Sequence, residues 1–504
     1  MGARSFSAIL RRALLAYSPD RRVTPSLPCE KILARPYPFS AETTILGFME
    51  GKNTTRKLED ACKHDIRFMW VLGGKPAPDH NRFWHFIKKR LQGEVVEHLF
   101  YQIVEQLMEA NEINLANVFI DGTKIEACAG RYTFVWEKST SKYDKRLDEK
   151  LEALTTRLTT EYLAEIPTST DAQGCREILT NLARTQGITF VHGRGKRKHP
   201  IQRDIEELDA LLTRKAKYTH YNKTFKGRNS FSKTDPDATF MRMKDDHMRN
   251  GQLKPGYNLQ LAVEGEYVVG VDISSERSDQ LCLIPLLERM EQGMKGKRHT
   301  HVVADAGYES EENYKYLLAH NQVAYIKPQN YEKSKTRKFK SNMYLRENMP
   351  YNPEADTYTC PNGSHFSPTH TYIRKSKSGF ESEVTAYQCD GCVTCPQKPN
   401  CTRAKGNRTL TVSKDFVALR QAARERITST EGVTLRLNRS IQAEGVFGNM
   451  KQNYGFRRYR RRGIESVFAE TILYSIAYNI NKFHQKQLKN HNVASVLFHL
   501  PKSA

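Results

Sequence analysis

The segment HVVADAGY, residues 301–308, decides the fold because its apolar run ends on an aspartate, Asp305, and two small residues follow. A second segment, NVFIDGTKIEA at 117–127, has the same design, with Asp121 after its apolar run. Short runs that are rich in Val and Ile and bounded by turn residues predict β-strands. One strand-end aspartate is by itself a common turn residue. Two of them on neighbouring strands would repel each other unless a cation lay between them, so the pair indicates a possible metal site.

The other patterned segments predict a mixed α/β core. YNLQLAVE (257–264), YVVGVDIS (267–274) and VAYIKP (323–328) have the composition of strands, and the helical pattern DQLCLIPLLERMEQ (279–292) precedes Asp305. Two closing helices are predicted at 437–453 and 465–485. The second of these carries an apolar face made of Phe468, Ile472, Ile476, Ile480 and Phe483. The fold class is therefore α/β, with a mixed sheet flanked by helices.

Helices are predicted on both sides of the first core strand. Residues 41–115 have apolar residues at helical spacing, and the break GGKPAPDHN (73–81) precedes an aromatic and basic helix, as in a helix-turn-helix DNA reader or in helices that simply pack. Within 137–255, leucines from Leu147 to Leu158 mark one helix and residues from Ile205 to Leu212 mark another. The basic loop HGRGKRKHP between them suits phosphate contact or a solvated surface, and the segment before residue 256 is predicted to be a connector.

The composition indicates a polyanionic partner. The 504-residue chain has 79 Lys and Arg against 56 Asp and Glu, a formal charge of +23, and such an excess favours nucleic acid. No apolar stretch approaches the roughly 20 residues that span a bilayer. The first 19 residues carry arginines and no acid, which suits an arm that grips DNA or a targeting segment. Five of the ten cysteines crowd between Cys360 and Cys401, a distribution that favours a reducing cytoplasm over a secreted disulfide framework.

The crowded cysteines predict a structural metal site. They are Cys360, Cys389, Cys392, Cys395 and Cys401. Five thiolates are more than one tetrahedral Zn²⁺ needs, so the prediction is zinc held by four of the five. An iron–sulfur cluster and free thiols are the alternatives. An insertion of this size is expected to have little apolar core, so zinc would supply its folding energy.

A third carboxylate and a basic segment lie in RSIQAEGVFGNMKQNYGFRRYRRRG, residues 439–463. On a helix, Ala443, Val446, Phe447 and Met450 form a buried stripe, while Glu444 and Lys451 share another face. Two glycines in this helix lower its propensity, which is easier to understand if a ligand approaches closely. The residues predicted to contact DNA phosphates here are Lys451, Arg457, Arg458, Tyr459, Arg460, Arg461 and Arg462.

Three of these segments resemble the catalytic blocks of a known family. FIDGTKIEA, ADAGY and SIQAEGVFGNMKQ are similar to the blocks of DDE transposases of bacterial insertion sequences, which have an RNase H-like core. The N-terminal helices and the five cysteines resemble the IS-eleven-eighty-two group, which is related to the IS-four group. The similarity runs in order from about residue 40 to residue 485. It implies a triad of Asp121, Asp305 and Glu444 that binds two Mg²⁺ or Mn²⁺ ions.

The resemblance also implies partners and a reaction. The partners are double-stranded DNA, as terminal inverted repeats and as target, and further copies of the chain in a homodimer or higher oligomer, in the bacterial cytoplasm with the nucleoid. The reaction is strand cleavage followed by strand transfer. A DNA-binding protein without catalysis and a nuclease without joining activity are the alternatives. Lys451 matches the Glu-x6-Lys signature of related transposases, but the arginine expected at Ser440 stands at Arg439, which puts its DNA contact in doubt.

The resemblance also divides the chain into domains. The predicted division is an N-terminal arm (1–40), a helical DNA-binding domain (41–115), an RNase H-like core in three pieces (116–136, 256–330 and 406–490), a helical and basic insertion (137–255), a Cys-rich insertion (331–405) and a tail (491–504). The small pair Ala306-Gly307 is expected to leave room for a DNA backbone beside Asp305.

Overall fold

The computed structural model describes residues 38–243 and 251–490, except Leu163, Thr168 and Arg194. Most of the predicted arm, the tail and His247 of the connector lie outside these residues. Within the described ranges, no helix combines the length and the apolar character needed to cross a membrane. The chain forms two compact units, which are described separately: unit 1 is Met1–Ile125 with Asn258–Ala504, and unit 2 is Glu126–Tyr257.

The elements follow in chain order. The helices are α1 (Pro38–Met49), α2 (Thr55–His64), α3 (Ile66–Leu72), α4 (His80–Arg90), α5 (Glu94–Glu109), α6 (Glu137–Glu161), α7 (Ala172–Thr185), α8 (Pro200–Phe225), α9 (Leu283–Gly293), α10 (Glu311–Ala319), α11 (Tyr331–Lys335), α12 (Arg337–Lys340), α13 (Lys398–Cys401), α14 (Lys414–Thr428), α15 (Thr430–Gln452) and α16 (Ile464–Asn490). The strands are β1 (Asn117–Glu126), β2 (Phe134–Trp136), β3 (Ser230–Ser232), β4 (Thr239–Arg242), β5 (Leu253–Glu264), β6 (Tyr267–Ser274), β7 (His301–Ala304), β8 (Val323–Ile326), β9 (Tyr351–Asn352), β10 (Thr357–Thr359), β11 (His365–Lys375), β12 (Glu381–Cys389) and β13 (Thr409–Val412).

The main sheet of unit 1 is mixed, as the sequence predicts. Its strands pair in the order β6, β5, β1, β7, β8. β5 and β6 are antiparallel, whereas β7 is parallel to both β1 and β8. The strands β6 and β7 are almost fully buried, which explains their continuous Val- and Ile-rich sequences. All five strands were predicted from sequence, and all five are confirmed.

Helices cover this sheet and hold it through polar as well as apolar contacts. The amide of Asn479 on α16 exchanges two hydrogen bonds with the backbone of Val268, at 2.8 and 2.7 Å, so this helix is fixed against β6. On α15, Leu435 packs in one cluster with Phe119, Val303 and Tyr325 of β1, β7 and β8. The predicted closing helices are thus confirmed as α15 and α16, and α15 begins seven residues earlier than expected, at Thr430.

The N-terminal helices of unit 1 are also confirmed, and side-chain caps define their starts. Thr54, Asp65 and Asp79 each accept a hydrogen bond from a backbone N–H in the first turn of α2, α3 and α4. The break between α3 and α4 begins at Gly73, whose left-handed backbone favours glycine. α4 buries Phe83, Phe86 and Ile87 and exposes Trp84 with its basic residues.

The Cys-rich segment contains a sheet that the sequence did not predict. Its five strands pair antiparallel in the order β13, β12, β11, β10, β9. The expectation of little apolar core is wrong, because a buried cluster lies under this sheet. Its members are Met349, Tyr358, Phe366, Tyr387, Cys389, Cys392, Leu410 and Val412. Two of the five cysteines are therefore part of an apolar core.

In its described residues, unit 2 contains three helices and short strands. The predicted helices α6 and α8 are present, and their leucines and isoleucines pack with α7, a helix that was not predicted. The predicted connector instead contains β4 and the first part of β5, which pair antiparallel from Thr239 and Gly256 to Arg242 and Leu253. β2 and β3 pair separately, and Val135 of β2, Phe231 of β3 and Phe225 of α8 form a small buried cluster.

Candidate functional site

Asp121 and Asp305 lie side by side on parallel strands. The last register partners of β1 and β7 are Ile120 and Ala304, and each aspartate is the next residue of its chain. Adjacent strands are about 4.8 Å apart, so the two aspartates are neighbours. Each carboxylate accepts a hydrogen bond from the next backbone N–H, at 2.8 Å for Asp121 and 2.7 Å for Asp305. The register thus makes the two aspartates neighbours, but β1 continues to Glu126, so Asp121 lies within its strand and not at the strand end that the sequence predicted.

Both aspartates face helix α15. Side chains alternate along a strand, so Asp121 has the same side as Phe119, and Asp305 the same side as Val303. Phe119 and Val303 contact Leu435 of α15. One helical turn later, Nη1 of Arg439 lies 3.4 Å from Oδ2 of Asp121, with 14% and 15% of these two side chains exposed. Arg439 was predicted to contact DNA, and the structure places its guanidinium beside the first aspartate.

Glu444 does not complete a cluster with the two aspartates. It is exposed on α15, five residues after Arg439, which is about 7.5 Å further along the axis and about 140° around it. Lys451, which is half-buried, lies seven residues later on the same side of the helix as Glu444. Within residues 38–243 and 251–490, no group of three or more His, Cys, Asp or Glu side chains is arranged to hold a metal ion.

A fourth carboxylate that the sequence did not single out lies behind the aspartate pair. Oδ1 of Asp279 accepts hydrogen bonds from Asn258 at 2.7 Å and from Gln260 at 3.1 Å. A Cβ on Gly307 would lie 3.1 Å from Oδ2 of Asp279, and one on Gly122 would lie 3.0 Å from Oδ1. The space beside Gly307 is thus taken by Asp279 rather than left for DNA. Asp279 was not predicted from the sequence as a site residue because it stands at the start of a predicted helix, where an aspartate is common.

The same region raises the pKa of a buried tyrosine. Tyr308, which follows Gly307, is buried and donates a short hydrogen bond to Gln260. Its burial, followed by the negative charges of Asp279 and Asp121, raises its pKa well above the ordinary value of 10.0. Tyr308 therefore stays a neutral hydrogen-bond donor.

The basic segment after α15 divides into a buried and an exposed set. Tyr459 is only 1% exposed, and its hydroxyl is 3.1 Å from that of Thr471. Phe456 stacks on Tyr474 with ring centroids 4.1 Å apart. Tyr459 was predicted to contact DNA, but its side chain is part of the core and packs beneath the basic segment. Arg457, Arg458, Arg460 and Arg462 are exposed and Arg461 is half-buried.

A buried glutamate anchors this segment. The carboxylate of Glu470 on α16 accepts hydrogen bonds from the backbone N–H groups of Arg460 and Arg461, at 3.1 to 3.3 Å. Burial raises the pKa of Glu470, although the charge of Arg461 acts in the other direction. Burial also lowers the pKa of Arg461. The exposed arginines thus project from a loop whose backbone is fixed to the core.

The five cysteines surround one small cavity below the second sheet. Arg408 donates two hydrogen bonds to their sulfurs, from its backbone N–H to Cys392 at 3.4 Å and from Nη1 to Cys401 at 3.1 Å. Burial, followed by contact with Cys392 and the charge of Cys360, raises the pKa of Cys389 to about 12. The two hydrogen bonds of Arg408 connect Cys392 and Cys401 beside the cavity.

Two family models match the chain. Residues 359–484 match the family described as Transposase DDE domain, and residues 34–89 match the one described as Transposase domain (DUF772). The first match contains Glu444 and the cysteines, but neither Asp121 nor Asp305. Neither the curated proteins nor the solved structures gave a match.

The two matches support a DDE transposase. Together they cover less than half of the chain, and they show similarity to transposase domains over these two segments.

Proposed function

We propose that the chain cleaves DNA at the ends of an insertion sequence and joins those ends to target DNA, with Asp121, Asp305 and Glu444 as the catalytic carboxylates of an RNase H-like core. The observation that carries the proposal is the register of β1 and β7, which makes Asp121 and Asp305 neighbours, each immediately after the last paired residue of its strand. The match to Transposase DDE domain over the segment that contains Glu444 supports the third member.

The aspartate pair fits divalent cations in its chemistry. Carboxylate oxygens are the ligands that Mg²⁺ and Mn²⁺ prefer, and two such groups side by side repel each other without a cation. Asp121, Asp305 and Glu444 would hold two ions, and Glu444 needs a change in its side chain or in α15 to join the pair. When bound, the ions would activate the attacking oxygen and stabilise the leaving 3′ oxygen.

The reaction itself needs no covalent protein intermediate. Water attacks one phosphodiester bond at the element end and releases a 3′ hydroxyl. That hydroxyl then attacks a phosphodiester of the target and displaces a 3′ oxygen, so one bond forms as one breaks. The residues of this chain orient the DNA for both steps: Lys451 lies on the Glu444 side of α15, and the exposed arginines 457, 458, 460 and 462 follow it.

Several finer assignments belong to the same proposal. The N-terminal helices would bind the terminal inverted repeats, with the basic face of α4 and Trp84 towards DNA. Two element ends must be joined together, so the active form would be a dimer or a higher oligomer. The cysteine-bearing sheet supports placement in the IS-eleven-eighty-two group, and the reaction would take place in the bacterial cytoplasm at the nucleoid.

One assay tests the main proposal. Full-length protein is incubated with Mg²⁺, a linear DNA that carries the sequences flanking its gene, and a plasmid target. Joined products are expected. Cleaved ends without joining would instead indicate a nuclease, and bound but uncut DNA would indicate a DNA-binding protein without catalysis.

Three substitutions test the triad. Asp121→Asn, Asp305→Asn and Glu444→Gln should each reduce cleavage and joining below detection, while DNA binding is kept. Glu465→Gln, which changes an exposed glutamate at the start of α16, is the matched control and should act like the wild type. A Glu444→Gln protein that still joins strands contradicts the assignment of Glu444.

We also propose that the cysteines bind one structural Zn²⁺ through Cys360, Cys389, Cys392 and Cys401. Cys389 has Cys392 and Cys360 as its interacting neighbours, and Arg408 connects Cys392 to Cys401. In the described residues, the sulfurs are not arranged to hold a metal ion. The proposal therefore rests on the chemistry of the cysteine side chains and on their contacts with one another and with Arg408. Four thiolates suit tetrahedral zinc.

Metal content tests the zinc proposal. The purified wild type should contain one zinc per chain, Cys392→Ser should lose it, and Cys395→Ser, the matched control, should keep it. Loss of zinc from Cys395→Ser would overturn this ligand set. Iron with visible absorbance would identify an iron–sulfur cluster instead.

A further inference from the structure

Arg439 and Asp121 form a contact that the proposed reaction does not explain. Asp121 is a proposed metal ligand, yet a guanidinium nitrogen lies 3.4 Å from one of its two oxygens. The other oxygen accepts the N–H of Gly122. A divalent cation at Oδ2 of Asp121 would therefore meet the positive charge of Arg439.

The position of Arg439 on α15 keeps its side chain close to Asp121. Leu435, one turn before it, is buried against Phe119 and Val303, and Ala443, one turn after it, is also buried. Residues four apart lie on the same face of a helix. Arg439 is therefore on the buried stripe of α15, and with 14% of its side chain exposed it has little freedom to leave unless the helix or the carboxylate moves.

The contact is an ion pair of modest quality. Nη1 of Arg439 is buried and has no hydrogen-bond partner, although it is the atom closest to Asp121. A hydrogen bond to a carboxylate is shorter and better aligned than this contact. A guanidinium held in this way neutralises the charge of Asp121 and remains exchangeable.

We propose that Arg439 is a positioning residue that shields Oδ2 of Asp121 and must be displaced before a divalent ion binds that oxygen. This inference rests on the proposed function, because it requires Asp121 to be a metal ligand. Arg439 opposes premature metal loading by competing for the same oxygen.

Direct Mn²⁺ binding to the full-length protein without DNA tests the inference. Free Mn²⁺ is measured by electron paramagnetic resonance during titration, so the readout does not depend on activity. Arg439→Gln removes the competing charge and should bind Mn²⁺ about fivefold to tenfold more tightly than the wild type, which corresponds to about 1 kcal/mol. Arg439→Lys keeps the charge and should stay near the wild-type affinity.

Two further variants separate the possible outcomes. Arg436→Gln changes the arginine one turn earlier, whose guanidinium lies over the Tyr331 ring at 5.4 Å, and should leave Mn²⁺ affinity unchanged. Asp121→Asn should weaken Mn²⁺ binding; if it binds as well as the wild type, the proposed triad fails whatever Arg439 does. Thermal unfolding checks that the Arg439→Gln protein is folded. If Asp121→Asn weakens Mn²⁺ binding but folded Arg439→Gln binds Mn²⁺ no more tightly than the wild type, the proposed role of Arg439 is overturned. The proposed triad then still stands.

Discussion

Neighbouring side chains in the basic segment have different roles although they are adjacent in the sequence. Tyr459 is buried with its hydroxyl near that of Thr471, whereas its neighbour Arg458 is exposed. Tyr459→Phe removes one buried hydrogen-bonding group and should lower the free energy of unfolding by about 1 kcal/mol. DNA affinity should stay the same, because the ring does not reach the surface. Thermal unfolding and a DNA-binding titration measure the two effects.

Arg458→Gln is the matched variant and should show the opposite pattern. Its unfolding temperature should stay near that of the wild type, and its DNA affinity should fall because one exposed cation is removed. If Tyr459→Phe weakens DNA binding as much as Arg458→Gln does, the assignment of Tyr459 to the core is contradicted.

The buried carboxylate of Glu470 should make stability depend on pH. Burial raises its pKa above the ordinary value of 4.5, so the folded protein favours the protonated form. The stabilising contribution of that proton is complete below pH 4.5 and is lost as the pH rises through the folded pKa. Glu470→Gln does not titrate. The unfolding temperature of this variant, relative to the wild type, should therefore rise between pH 4 and pH 7.

The comparison at each pH cancels the other titrating groups, which the two proteins share. A temperature difference that stays constant from pH 4 to pH 7 would show that the pKa of Glu470 is the same in the folded and the unfolded protein, and that the charge of Arg461 compensates fully for its burial.

At the scale of elements, helix α15 contains two glycines, which are weak helix formers, close to the exposed Glu444. Neither Gly445 nor Gly448 would meet any atom within 4 Å if it carried a Cβ. Replacing each by Ala should therefore raise the free energy of unfolding by up to about 1 kcal/mol. If DNA packs against this face beside Glu444, the same substitutions should reduce cleavage. Chemical denaturation and the cleavage assay together reveal such a trade-off.

Gly406 offers a comparison outside the helix, since a Cβ there would also meet open space. Gly406→Ala is expected to leave cleavage unchanged. Full cleavage by Gly445→Ala and Gly448→Ala would show that these glycines are not needed for a close approach of DNA.

The elements predicted from sequence are those with a strong local pattern. The strands of the main sheet are nearly continuous apolar runs, and α16 repeats its apolar face over 27 residues. β11 was missed because ten of its eleven residues are exposed, so it shows no alternation to read. β3 and β4 have only three and four residues, too few for a period.

The same reasoning explains which parts of the candidate site were predicted. Asp121 and Asp305 each follow a short apolar run that forms a strand, so their proximity follows from the parallel pairing of β1 and β7. The contact of Arg439 with Asp121 joins residues far apart in the chain, and it depends on how α15 is rotated against the sheet. Asp279 likewise takes its place through Asn258 and Gln260, which no local pattern connects to it.

At the scale of the whole molecule, the charge of +23 can attract DNA in a diffuse way or through defined positions. The structure favours a defined position, because Arg457, Arg458, Arg460 and Arg462 are exposed on a loop whose backbone is bonded to Glu470. Each phosphate that is neutralised contributes about 0.9 to the slope of log affinity against log salt concentration. Replacing these four arginines by Gln should reduce the slope by about 0.9 for each one that contacts a phosphate.

The control removes the same charge elsewhere. Lys138, Lys142, Lys145 and Lys150 are exposed on α6, and their replacement by Gln lowers the net charge by the same four units. If DNA binds at the anchored loop, the arginine variant should lose much more of the salt slope than the lysine variant. Equal losses would mean that the attraction comes from the total charge of the molecule, and that the loop next to Glu444 has no special role in holding DNA.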